Sequence, residues 1–118
     1  MINLIVKAKD TADIAIVHPG TKATLGTFAI AGPDHPATMA RRRELDDMRM
    51  KPNYKPDFIA ELKGTLCART VGWSGVKDTN TGEEVAFDAV LLPDLYDQEW
   101  LRAEVLEGVG GNEVFFKN

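Results

Sequence analysis

Ser74 is the only serine in the chain and sits in Gly72-Trp73-Ser74-Gly75-Val76. A serine nucleophile on a strand-to-helix elbow needs glycine two places before and two places after it, and position 76 is valine. Ser74 therefore reads as a turn residue behind a helix. The two histidines, His18 and His35, each stand beside a proline in turn-forming sequence. With a single cysteine, Cys67, they fall short of a standard structural zinc set; carboxylates could in principle complete one, but the usual ligand spacing is absent. Asp78-Thr79-Asn80-Thr81-Gly82-Glu83 has the opening rhythm of a calcium loop. That loop requires glycine at its sixth position and a bidentate glutamate at its twelfth. Here glycine comes fifth and the twelfth position is Ala89, so a hairpin turn is expected. Cys67 falls on or beside the apolar face of a helix and reads as an inert thiol. Gly108, Gly110 and Gly111 come after a helix instead of a strand, which is the wrong context for a phosphate loop. No catalytic residue, cofactor or metal site is predicted, and an enzyme is not expected.

Arg41-Arg42-Arg43 is the one basic run, and Glu44, Asp46 and Asp47 come directly after it. A nucleic-acid grip needs a wider cationic surface, and the formal net charge is −4. A solvated helix face, with a protein contact as the next reading, suits this run better than DNA or RNA. The single cysteine excludes an internal disulfide framework and fits a reducing compartment. No run approaches the roughly 20 apolar residues of a membrane span, and the opening MINLIVKAKD has no signal-peptide pattern. At 118 residues the chain accommodates one domain.

The expected fold class is α+β: an N-terminal antiparallel hairpin or small sheet, then a mainly helical part with one short hairpin. The β segment is expected over 1–33. Residues 13–17 are rich in β-branched side chains, His18-Pro19-Gly20 turns the chain, and 24–31 alternate again. Residues 2–7 alternate well enough to add a third strand. Asp34-His35-Pro36 reads as a helix start with Asp34 as N-cap. The helix 36–49 is highly charged, with Arg42–Asp46 and Arg43–Asp47 spaced for ion pairs and only Met39, Leu45, Met48 and two alanines as apolar anchors. A proline-containing linker covers 51–56. A helix over 57–71 carries Phe58, Ile59, Leu62 and Leu66 as a stripe expected to pack inward, with Gly72 as its stop. A hairpin is expected over 73–87, a short Asp88-capped turn next, and a last helix over about 94–108. Trp73, Phe87 and Trp100 are expected to be buried. Residues 34–56 thus form a charged helix and linker, and 57–118 a helical core.

Three stretches together resemble the tail assembly chaperones of tailed bacteriophages with siphophage-like tails. The first is Ile30-Ala31-Gly32-Pro33-Asp34-His35-Pro36-Ala37 with the arginine-rich helix behind it. The second runs from Leu66-Cys67-Ala68-Arg69 through Gly72-Trp73-Ser74-Gly75. The third joins Gly82 and Phe87 to Leu95-Tyr96, Trp100-Leu101-Arg102 and the closing Val114-Phe115-Phe116. The resemblance spans about residues 13–116 and implies a non-enzymatic protein of the infected bacterial cytoplasm. It further implies that the chain binds the tape measure protein, the tail tube protein, or both, before the tube polymerises. Neither nucleic acid nor membrane is among the expected partners, and self-association is open. The alternative is a small structural or completion protein that stays in the tail or head of the particle. On the residues alone, the expected partner surface is Met39, Arg42, Arg43, Leu45 and Met48 with Phe115 and Phe116. Methionine adapts to varied partners, and a terminal Phe pair behind two glycines can move.

Overall fold

The computed structural model describes Leu4 and residues 6–117. Strands β1 (Thr11–Val17) and β2 (Thr24–Ala31) pair antiparallel, with Ile14 opposite Phe28 and Thr11 opposite Ala31. His18 builds the turn between them. Its Nδ1 accepts from the Gly20 and Thr21 N–H groups at 3.0 and 3.1 Å, and its own N–H donates to the Ala23 carbonyl. The chain then forms α1 (Pro36–Arg49), α2 (Phe58–Arg69) and β3 (Thr70–Ser74), and β3 pairs with the other edge of β2. A short 3-10 turn (Ala89–Leu91), the single helical turn α3 (Leu92–Leu95), α4 (Glu99–Val109) and a 3-10 turn (Glu113–Phe116) complete it. This is an α+β protein with sheet order β1-β2-β3.

The alternation of β1 and β2 sends Ile14, Ile16, Phe28 and Ile30 to one face, where all four are buried. The third strand is thus supplied by β3 and not by the N-terminus. Positions 2, 3 and 5 of the strand expected there lie outside the described residues, while Leu4, Val6 and Lys7 are not in a strand. Helix α4 lays Leu101, Val105 and Val109 on the sheet, and Gly108 lets it come close to β1. A Cβ at Gly108 would stand 2.5 Å from the Ile14 side chain. Gly110, at φ +56, takes the left-handed position that ends α4.

The helix expected over 57–71 stops at Arg69. Thr70 and Val71 turn into β3, so Gly72 lies inside a strand and not at a helix stop. Two β-branched residues in succession, with an open edge of β2 to pair with, favour the extended form over a last helical turn. Trp73 stacks on Phe28 with ring centroids 5.8 Å apart, and Phe87 meets it edge-on at 4.9 Å. The hairpin expected over 73–87 is reduced to a ribbon with one bridge, Lys77–Glu84, turned by Asp78, whose Oδ1 accepts from the Asn80 and Thr81 N–H groups. Trp73, Phe87 and Trp100, expected to be largely buried, are half-buried. The helix expected over 94–108 is divided between α3 and α4. Pro93 sits in the first turn of α3.

Candidate functional site

Helix α1 is capped by His35, not by the expected Asp34. The imidazole Nδ1 of His35 accepts from the Ala37 N–H at 3.0 Å, and Pro36 fills the first turn, where a missing N–H does no harm. At 100° per residue, Thr38, Arg41, Leu45 and Met48 share one face of α1, and this is the face laid against α2. Thr38 and Arg41 are its only buried residues. No residue of α1 enters the apolar core.

Arg41 holds the two helices together. Its guanidinium donates to the Glu61 backbone carbonyl at 3.0 Å and to Thr65 Oγ1 at 3.2 Å, and it pairs with Glu44. It reaches α2 because residue 64 is glycine: a Cβ there would stand 2.4 Å from the guanidinium. Further along, the Glu61 carboxylate accepts from the Tyr54 hydroxyl at 2.8 Å and from Arg49 Nε at 3.2 Å. That hydrogen bond to Glu61 raises the Tyr54 phenol above its ordinary value, and burial adds to the shift. Tyr54 and Glu61 together raise Arg49. The linker after α1 and the first turns of α2 therefore frame an open groove of about 550 Å³, lined by Arg41, Met48, Lys51, Tyr54, Lys55 and Gly64 among others. Asp57 caps α2 by accepting from the Ala60 N–H. At the two ends of the linker, Met50 is 84% exposed and Phe58 74%. Within the groove Arg41 is tied to Glu44 and Tyr54 to Glu61, while Lys51 and Lys55 are in no salt bridge among the described residues.

The expected partner surface does not form one patch. Leu45 and Met48 are half-buried on the inner face of α1, and Met48 lines the groove. Met39, Arg42 and Arg43 are exposed on the outer face. The Arg42–Asp46 and Arg43–Asp47 ion pairs expected from spacing are not made, which leaves both guanidinium groups free of salt bridges among the described residues. Phe115 is a core residue with no exposed surface, so its expected role in partner binding is corrected. Its backbone carbonyl accepts from the Lys9 N–H, and the Arg69 guanidinium lies 5.5 Å from its ring centre. Phe116 remains half exposed. The stripe of α2 is also not packed inward throughout, since Phe58 and Ile59 face water and Leu66 is its only buried residue.

Sequence reasoning missed Arg41, Tyr54, Glu61 and Gly64 as a connected set. The available signal was Gly64, because a glycine within a helix is unfavourable unless something approaches closely. Among the described residues there is no group of three or more metal-binding side chains, and no helix is long and apolar enough to cross a membrane. Comparison with protein-family models, curated proteins and solved structures found no match to the chain.

Proposed function

We propose that this chain is a phage tail assembly chaperone that binds the tape measure protein, the tail tube protein, or both, without catalysis, in the bacterial host cytoplasm. The observation that carries the reading is α1: a 14-residue helix with no residue in the apolar core, docked through a guanidinium, with Met39, Arg42 and Arg43 turned to solvent. A chaperone must hold a partner and later release it. A surface built from an exposed methionine and two arginines that make no salt bridge among the described residues, on a weakly anchored helix, makes contacts that are adaptable and reversible. The three stretches of phage-like sequence support the same role. The partner surface is revised to the outer face of α1, with Met48 and the groove beside it and Phe116 as a separate contact.

Co-expression with candidate tape measure and tube proteins, followed by affinity capture, tests this. A Met39→Ser, Arg42→Glu, Arg43→Glu variant is expected to capture at least tenfold less partner while its far-UV circular dichroism stays unchanged. Undiminished capture overturns the assigned surface. Mass spectrometry of purified particles is expected to find no copy of the chain, and its presence at fixed stoichiometry favours a retained structural protein.

A further inference from the structure

The outer edge of β1 is open over a defined stretch, because β2 is its only strand neighbour among the described residues. In an antiparallel ladder, alternate residues turn both N–H and C=O towards the same neighbour. The Gly32 N–H donates to the Asp10 carbonyl at 2.7 Å, in line with the Thr11–Ala31 register, so Ala12, Ile14 and Ile16 are the residues bonded to β2. Lys9, Thr11, Asp13, Ala15 and Val17 turn the other way. Both ends of that outward row have a partner. The Lys9 N–H donates to the Phe115 carbonyl at 2.8 Å and the Val17 N–H to Glu104 Oε2 at 3.4 Å. Between them, the N–H and C=O groups of Thr11, Asp13 and Ala15 have no partner among the described residues.

An open groove of about 460 Å³ runs along this stretch, between β1, α4 and Val114. Its charged lining is of one sign: Asp13, Glu104 and Glu107, with no cation. None of the three is in a salt bridge among the described residues. Asp13 and Ala15 are exposed on the side of β1 away from buried Ile14, while Glu104 and Glu107 come from the helix on the Ile14 side. The carboxylates thus flank the open edge from both faces of the sheet, and they are not grouped to hold a metal ion. Two features then define an occupant. Unpaired backbone donors and acceptors in strand register call for another extended chain. Carboxylates on both sides call for cations on both sides of that chain.

We propose that the open edge of β1 takes up a basic, extended segment of a partner protein as a fourth strand, with its cations on Asp13, Glu104 and Glu107. A second copy of this chain fits poorly. Two-fold pairing centred on the open stretch sets one Asp13 opposite the other and crowds the glutamates of both copies along one seam, where like charges repel. The acidic edge thereby discourages self-pairing and admits a strand of opposite charge. Nucleic acid is disfavoured by the same carboxylates. The edge shares no residue with α1, so this proposal and the chaperone reading can fail separately.

The test is titration of the isotopically labelled full chain with the acetylated, amidated heptapeptide VTKRKVT, followed by two-dimensional NMR and amide hydrogen exchange. Its central arginine falls on one face of the added strand and the two lysines on the other. At saturating peptide the Thr11, Asp13 and Ala15 amides are expected to exchange about tenfold or more slowly, with Ala12, Ile14 and Ile16 little changed. That alternation marks a paired strand, which charge attraction alone does not produce. The acidic peptide VTEDEVT is expected to bind about tenfold or more weakly at low salt, and Glu107→Lys to shrink that preference about threefold or more. Glu107 is exposed, so this variant keeps the fold. Ala15→Pro is expected to block the peptide and leave the β1–β2 ladder intact, because the N–H it removes points outward. The proposal is overturned if the three amides keep their exchange rates, if VTEDEVT binds as well as VTKRKVT, or if Glu107→Lys leaves the preference unchanged. It is equally overturned if spermidine, a cation with no peptide backbone to pair, binds as tightly as the heptapeptide. Protection of the same amides by raised protein concentration alone would assign the edge to a second copy and overturn the basic partner.

Discussion

Two regions of this molecule are held by different physics. On one side, the sheet, α3, α4 and the Glu113–Phe116 turn share an apolar core in which Ile30, Tyr96, Val105 and Phe115 have almost no exposed surface. On the other, α1 meets only α2 to more than a marginal extent, through a polar contact centred on Arg41. The radius of gyration, 15.8 Å, exceeds the roughly 13.5 Å typical of a compact domain of this length. Each large core side chain contributes about 1.5–3 kcal/mol by burial. A hydrogen bond from a charged group contributes about as much at best, and water competes for it once the helix lifts. The difference teaches where motion belongs: the core melts as a unit, while α1 can open below the global unfolding free energy.

The largest expected effect tests the core side. Phe115→Ala should lower stability by about 3–5 kcal/mol, the range for deleting a large buried aromatic. It removes the ring under Arg69 as well as core volume. Urea denaturation measures this. A loss below about 1 kcal/mol would mean that the C-terminal turn does not belong to the core.

Arg41→Met tests the other side. It keeps most of the side-chain length and removes the donors to Glu61 and Thr65, so the α1–α2 contact should weaken by about 1.5–3 kcal/mol. Hydrogen exchange should then accelerate across 36–49 while the β1 and β2 amides stay protected. Acceleration of both together would show that α1 is coupled to the core and would break the comparison. Gly64→Val should have the same signature, because a Cβ there displaces the guanidinium.

The part of the fold that was legible in the sequence is the part governed by local chemistry. Ile14 and Ile16 alternate to the same face as Phe28 and Ile30, Asp88 caps the helical turn that starts beside it, and the glycines after α4 stop it. The illegible part depended on tertiary competition. Thr70 and Val71 fit the helical period and left it because β2 offered an unpaired edge. Arg41 looked like one of three surface arginines, and only the glycine on the neighbouring helix decides that it is the buried one. Phe115 and Phe116 are identical in type, and the backbone tie from Lys9 to the Phe115 carbonyl fixes the turn in which Phe115 is buried and Phe116 half exposed.

Tyr96 offers a smaller and pH-dependent test within the core. Thr70 donates its hydroxyl hydrogen to the Leu66 carbonyl at 2.7 Å, so at the 2.7 Å contact between the two hydroxyls Tyr96 is the donor. Burial pushes the phenol up to about 12. The folded value lies above the unfolded one, near 10. Stability from the neutral phenol is therefore fully present below about pH 10 and is lost as pH rises towards 12. Tyr96→Phe should lose about 0.5–1.5 kcal/mol at neutral pH and should flatten the alkaline decline between pH 10 and 12. An unchanged alkaline profile would assign that decline to other groups.

The smallest expected effect belongs to Phe58, and it sharpens the boundary between the regions. A helical stripe read from spacing alone sends Phe58 inward with Leu62 and Leu66. In the fold α2 meets the apolar core with its later turns, where Leu66 is buried, while Phe58 and Ile59 in the first turn are exposed and the Glu61 side of that turn is held by Arg41, Arg49 and Tyr54. With 74% of its surface exposed, Phe58 has little burial to lose. Phe58→Ser should change stability by less than about 0.5 kcal/mol, as exposed substitutions do, whereas Leu66→Ala should remove about 2–5 kcal/mol. The pair compares two positions on one stripe of one helix. If Phe58→Ser instead lowers the thermal midpoint in proportion to protein concentration, a second copy covers that ring, and the exposed end of α2 is an interface.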